Sequence, residues 1–195
     1  MKKALLNLTF GVIAALGIQT SHAAGFGIEF GTSPNDYDCT RAGEAGKYIC
    51  TNVPKPHSGF ESYAVQASDQ HGICWVKGIG KDISDSGYGT STKSKLEELK
   101  ASLERGYGSA SKKTDFLTYG ALWDDSDEWL MSIRQKQRVF MYQWDTPEGR
   151  KPKLQKIYLA AGATGHQTGY IAIDYYSTDY DACKQATSRL EDDSL

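Results

Sequence analysis

The chain has 195 residues, of which 39% are hydrophobic and 24% charged, and its formal net charge is −2. These values are ordinary for a globular protein of one domain. They exclude a collagen-like repeat, a long disordered tail and a protein with many membrane spans. They leave the function open.

Residues 1–23 have the pattern of a secretory signal peptide. Lys2 and Lys3 precede an apolar run of about 15 residues, shorter than the roughly 20 that span a bilayer. Ser21 and Ala23 are small residues at the positions that signal peptidase reads, so we expect cleavage after Ala23. Because no cysteine lies near this point, we expect no lipid anchor. Because the apolar run is too short to span a bilayer, we expect no membrane anchor. The Met-Lys-Lys start is typical of bacteria and predicts a periplasmic protein.

Residues 24–195 would then form a single domain tied by disulfides. Removal of Lys2 and Lys3 with the leader takes the formal net charge from −2 to −4. A mildly acidic protein lacks the basic surface that nucleic acid requires, so we expect no nucleic-acid partner.

The four cysteines all lie outside the leader. An even number of cysteines in an oxidising compartment predicts two disulfide bonds. Three pairings are possible, and we favour Cys39–Cys50, which closes a short loop, with Cys74–Cys183, which joins a central strand to the C-terminal helix. The cysteine spacing matches no zinc motif, and we expect no metal and no cofactor.

Alternating apolar and polar residues predict the strands. In chain order these are Phe26–Gly31, Lys47–Val53, Phe60–Ala67, Ile73–Ile79, Leu154–Ala161 and Tyr170–Tyr176.

Two segments have helical spacing. Leu96, Leu99, Leu103 and Tyr107 form one apolar stripe, and Ser94-x-x-Glu97 has the form of a capping box at its start. A second helix is predicted over Asp179–Glu191, with Cys183 on its apolar side.

Residues 109–144 are harder to interpret. Residues 109–128 look irregular, with apolar side chains as anchors to the core: Phe116, Leu117, Tyr119, Leu122 and Trp123. The stretch 129–144 fits a helical stripe, but Val139–Tyr142 favours a strand, and we interpret it as a hairpin. Together the elements predict an α+β domain: a mainly antiparallel sheet of about six to eight strands, one central helix and one C-terminal helix. A β-barrel closed by the last helix is the alternative.

No strong catalytic motif is present, and we assign no catalytic residue. Ser109-x-x-Lys112 matches a short serine-hydrolase pattern but lacks the elements that accompany it, so we interpret it as a solvated loop. His57, His71 and His166 fall in separate predicted loops and are expected to be exposed.

The segment Asp124–Glu128 places four carboxylates in five residues. Such a cluster could hold Ca²⁺ or supply an acid–base pair, but the EF-hand pattern is absent. A helix N-terminus, where acidic side chains suit the dipole, explains the same residues.

Three aromatic residues are candidates for binding. Tyr88 is central in the Gly-flanked polar loop Ser84–Thr92, which resembles the Ser/Gly/Tyr loops of periplasmic lysozyme inhibitors over these few residues only. Trp123 and Trp129 flank the acidic segment and could belong to an aromatic surface. The alternatives are a plain connection before a helix for Tyr88 and core packing for the tryptophans.

The sequence therefore predicts an exported, non-enzymatic binding or inhibitor-type module for an envelope protein or cell-wall component. A cell-wall hydrolase that uses Asp or Glu with His, and a small-ligand carrier, are the alternatives. The hydrolase predicts that Asp124–Glu128 or a histidine lines a pocket beside a carboxylate of raised pKa, and the carrier predicts a large apolar cavity.

Overall fold

The computed structural model describes residues 24–145 and 152–192, and the predicted leader lies outside them. The helices are α1 (Thr90–Tyr107), α2 (Trp129–Arg134) and α3 (Tyr180–Asp192). The strands are β1 (Asp38–Arg41), β2 (Lys47–Asn52), β3 (Phe60–Ser68), β4 (Gly72–Gly80), β5 (Ile83–Ser84), β6 (Lys112–Leu117), β7 (Arg138–Asp145), β8 (Leu154–Gly165) and β9 (Thr168–Ser177). Within the described chain, no helix is long and apolar enough to cross a membrane.

All nine described strands form one antiparallel sheet, in the order β1-β2-β3-β4-β9-β8-β7-β6, with β5 paired to β9. Two four-strand meanders, β1 to β4 and β6 to β9, meet where β4 pairs with β9. The described part of the chain thus confirms the predicted α+β class. It is not a closed barrel, because β1 and β6 stand at opposite edges.

The two faces of the sheet differ in how they are covered. Side chains alternate between faces along each strand. Val76, Ile157 and Ile173 point to the covered face, where α1, α2 and the segment 24–31 pack. Leu96 and Leu99 of α1 are buried there, as their stripe predicted.

The opposite face is the open face. It carries the neighbouring side chains Trp75, Lys77, Tyr158, Asp174 and Tyr176. The helix α3 covers only one end of it.

Both disulfide bonds have the favoured pairing, Cys39–Cys50 and Cys74–Cys183. The first joins paired residues of β1 and β2. The second fastens α3 to β4, beside a hydrogen bond between Gln66 and Thr187 of 3.1 Å. A bond across a 109-residue separation removes much of the entropy of the unfolded chain, about 4–5 kcal/mol in the loop-entropy model.

The strand predicted over Phe26–Gly31 is wrong. Phe26, Gly27 and Gly31 have φ values of 58°, 77° and 86°, which no strand accommodates. The segment instead lays the Phe26 ring against the covered face, 4.6 Å between centroids from Tyr63. A Cβ at Gly78 would lie 2.5 Å from that ring, so glycine permits the close approach.

The capping box predicted at Ser94 is also wrong, because both of its residues lie inside α1. The helix begins four residues earlier, at Thr90. Its first amide groups are satisfied by the carboxylate of Asp85, which accepts from the backbone N–H of Ser91 at 3.1 Å and of Thr92 at 2.7 Å.

The hairpin interpretation of residues 129–144 fails in its first half. Trp129–Arg134 is the short helix α2, and the strand β7 begins at Arg138. Five of the six residues of α2 are buried, so α2 lacks the polar stripe of an amphipathic helix. The preceding segment, predicted irregular, contains the edge strand β6.

Candidate functional site

The loop that carries Tyr88 is held from several sides. Asp85 accepts hydrogen bonds from the backbone of Ser86, Ser91 and Thr92. Burial alone would raise the pKa of Asp85, but these hydrogen bonds outweigh it and hold the pKa below its usual range. Tyr88 projects from this fixed loop and is 51% exposed. The loop therefore presents Tyr88 in one arrangement.

Trp129 lies beneath the same loop and is only 4% exposed. Gly89 approaches it so closely that a Cβ would lie 2.1 Å from the Trp129 ring. The ammonium of Lys93 lies 4.3 Å from the ring centroid and donates to the backbone oxygen of Tyr88 at 2.7 Å. Trp129 therefore supports the loop from the core and offers no surface to a partner.

Trp123 is half-buried in the connection between β6 and the 3-10 turn at Ser126–Glu128. The backbone N–H groups of Leu122 and Trp123 donate to the side-chain oxygen of Gln137, at 2.9 and 3.1 Å. These bonds fix the backbone of the loop, and its apolar side chains are exposed. Tyr119 is fully exposed and Leu122 is 82% exposed.

Phe116 and Val139 extend this apolar surface onto the sheet. They are directly paired across β6 and β7, and they are 57% and 41% exposed. We call Phe116, Tyr119, Leu122 and Val139 the tip patch. Of the six exposed large hydrophobic residues in the described chain, four belong to it, and the other two are Ile49 and Tyr88.

The sequence pattern did not indicate the tip patch. It predicted Phe116, Tyr119 and Leu122 as anchors to the core, because apolar residues in an otherwise polar segment usually serve that purpose. The segment Thr114–Thr118 has no regular alternation of apolar and polar side chains. Its signal for a strand is the β propensity of Thr114, Phe116 and Thr118.

The acidic segment lies beside the Tyr88 loop. Asp124, Asp125 and Asp127 are exposed, and Asp127 and Glu128 belong to the 3-10 turn that leads into α2. This is the position where acidic side chains suit a helix dipole. No three His, Cys, Asp or Glu side chains in the described ranges are grouped so that they could hold a metal ion.

The histidines lie at separate places. His57 precedes β3, and its ring nitrogen accepts from the backbone of Gly59 at 3.0 Å. His71 is half-buried in the turn at the other end of β3, where it lines a polar cleft of about 490 Å³ with Lys153 and Asp179. His166 is exposed in the turn between β8 and β9 and comes close to Gly87.

Asp174 lies on the open face, and the pKa of its carboxyl group is raised above its usual range. Burial raises the pKa, while the attraction of Lys77 and a hydrogen bond from Trp75 oppose the rise. The Lys77 ammonium is 3.2 Å from both carboxylate oxygens, and the indole N–H of Trp75 is 3.0 Å from one. Tyr176 packs alongside Trp75, 6.5 Å between centroids. The side chains that donate to the Asp174 carboxylate in the described chain are Lys77 and Trp75, so the network has the character of a satisfied structural pair.

The cavity against the core is small. An apolar cavity of about 140 Å³ lies between α1 and the covered face, with Phe60, Leu103 and Tyr175 among its walls. Sites for small organic ligands are typically about 300–1,000 Å³.

Comparison of the chain with protein-family models, with curated proteins and with solved structures finds no match.

Proposed function

We propose that the protein is exported to the periplasm and binds an envelope protein through the tip patch. The leader pattern and two disulfide bonds support export, because disulfides persist in oxidising compartments. In the part of the chain that the structure describes, four of the six exposed large hydrophobic side chains belong to the tip patch.

The observation that carries the proposal is the pair Tyr119 and Leu122. Both side chains are almost wholly exposed, yet their loop is fixed by hydrogen bonds to Gln137. Water contact with large apolar side chains is unfavourable, and burying them against a partner recovers about 25 cal/mol per Å². A loop that is already ordered also loses little entropy on binding. Tyr88 is a second exposed aromatic on a fixed loop and could extend the surface.

The alternatives receive less support from the geometry. A carrier requires a large apolar cavity, and the apolar cavity of about 140 Å³ is too small. The larger cleft beside α1, of about 550 Å³, has charged side chains in its lining: Lys81, Asp82, Lys95 and Glu98. A hydrolase of the predicted kind requires Asp124–Glu128 or a histidine in a pocket beside a carboxylate of raised pKa. The pKa of Asp174 is raised, but its carboxylate is held by Lys77 and Trp75.

The test is photo-crosslinking in the living cell. A photoreactive phenylalanine analogue is placed at residue 119, at residue 122 or, as a matched control, at residue 49, where Ile49 is also exposed but belongs to β2. We expect one envelope protein, identified by mass spectrometry, to be crosslinked from 119 and 122 and not from 49. Equal crosslinking from all three residues would contradict the proposal, and so would products that contain only further copies of this chain.

A further inference from the structure

The strand β6 ends the sheet. It pairs with β7 on one side, and no described strand pairs with its other side. Lys112, Lys113, Asp115 and Phe116 are exposed along it. An uncovered edge strand is a template for another strand, because its outward N–H and C=O groups lack strand partners.

The register shows which backbone groups point outward. The N–H of Thr118 donates to the backbone oxygen of Gln137 at 2.8 Å, so in this antiparallel pair the even-numbered residues of β6 face β7. Lys113, Asp115 and Leu117 therefore direct their N–H and C=O groups away from the sheet.

Lys113 and Asp115 also share one face. Asp115 is paired with Phe140, whose ring lies 5.0 Å from the Lys113 ammonium. Arg138 donates to one carboxylate oxygen of Asp115 at 2.8 Å, which leaves the second oxygen to accept another donor. The run Lys113-Thr114-Asp115 thus presents a cation and an anion, two residues apart, on the same face of an open edge.

We propose that β6 binds β6 of a second copy of this chain, antiparallel, about a two-fold axis that passes beside Thr114. In this register Lys113 of each copy lies opposite Asp115 of the other. Each such pair exchanges two backbone hydrogen bonds, which gives about four in all, together with two ion pairs. The two sheets then continue as one.

The charges of Lys113 and Asp115 favour this register over the two adjacent registers. Moving the axis to Lys113 places two lysines opposite each other, and moving it to Asp115 places two aspartates opposite each other. Like charges directly opposite are destabilising. Since the pattern complements itself, the occupant that it fits is a second copy. The contact uses the backbone of β6 and leaves Tyr119 and Leu122 beyond the strand. Of the tip patch, only Phe116 lies on the paired segment.

The first test uses charge reversal and sedimentation equilibrium of the mature, oxidised protein. We expect a dimer for the natural sequence and about ten-fold weaker self-association for Lys113→Asp and for Asp115→Lys. An equimolar mixture of the two variants should recover dimerisation, because each reversed charge then meets its opposite. A natural protein that stays monomeric up to about 1 mM, or a dimer that neither variant weakens, would overturn the proposal.

The second test does not depend on those variants. Thr114 would meet its own counterpart in a pair without hydrogen bonds, at a Cα–Cα distance of about 4.5 Å, which a disulfide bond can span. We expect Thr114→Cys to form a covalent dimer on oxidation. In the same register Phe116 faces Lys112 of the second copy, so Phe116→Cys is the matched control and should remain uncrosslinked. Equal crosslinking of the two variants, or crosslinking of Phe116→Cys alone, would refute the register.

Discussion

The two faces of the sheet differ in how far their side chains are buried. On the covered face, α1, α2 and the segment 24–31 enclose apolar side chains such as Ile157 and Leu159, both 0% exposed. On the open face, α3 covers one end only, and the middle holds a hydrogen-bonded charge pair among half-exposed aromatic rings. The comparison indicates that the covered face supplies most of the stability. The open face keeps aromatic rings such as Tyr158 and Tyr176 half-exposed.

The largest expected loss in the free energy of unfolding comes from a substitution on the covered face. Replacing Ile157 by Ala removes buried methylene and methyl groups and leaves a cavity, which should lower the free energy of unfolding by about 4 kcal/mol. Tyr158, the next residue, points to the open face and is half-exposed, so Tyr158→Ala should cost about 1 kcal/mol. Urea unfolding of both variants measures the difference. Equal losses would mean that the two faces contribute alike.

The charge pair of the open face should give the next largest effect. Lys77→Ala leaves the buried carboxylate of Asp174 without its cation, and we expect a loss of about 3 kcal/mol. Asp174→Asn in the same chain removes the orphaned charge, so the double variant should recover part of that loss. Lys81→Ala, at an exposed lysine, is the control. Chemical unfolding at pH 7 tests this, and a double variant no better than Lys77→Ala would argue against a coupled pair.

A smaller effect concerns the pH dependence of stability, to which Asp85 and Asp174 should contribute in opposite directions. The folded pKa of Asp85 lies below the ordinary 3.8, so its contribution is present above that pH and is lost as the pH falls through the folded pKa. The pKa of Asp174 is raised, so its contribution is greatest below 3.8 and is lost as the pH rises through the folded pKa.

We therefore expect Asp85→Asn to cost about 1 kcal/mol at pH 7, with little change between pH 5 and 7. Asp174→Asn should flatten the part of the stability profile that falls as the pH rises above about 4. Unfolding curves across pH 3–7 compare the two variants. Identical profiles would show that the two carboxylates are not held in opposite ways.

How far the fold could be predicted depended on burial. The strands β3 and β4 and the helix α1 each bury a regular stripe, so their periodicity revealed them. The strand β6 has one neighbour and a largely exposed surface, so polar residues serve there as well as apolar ones. The helix α2 is buried on nearly all sides, which removes the contrast on which a helical pattern depends. The contact of Asp85 with the start of α1 spans six or seven residues and lies beyond a local capping motif.

The candidate site shows the same limits. Exposure of Tyr88 followed from its glycine neighbours, whereas burial of Trp129 depends on the approach of Gly89 from another part of the chain. Tyr119 and Leu122 resemble core anchors in sequence. Their loop is held by hydrogen bonds to Gln137 and by a turn from Thr118 to Ala121, and the sequence pattern reveals neither.

The most direct test of the proposed binding function is the affinity of the crosslinked envelope protein for the Tyr119→Ala, Leu122→Ala double variant. The free energy of unfolding of the same variant is measured beside it. We expect affinity to fall by about 100-fold, since exposed aromatic anchors dominate such interfaces. Stability should stay within about 0.5 kcal/mol, because neither side chain is buried. Unchanged affinity in a stably folded double variant would contradict the assignment of binding to the tip patch.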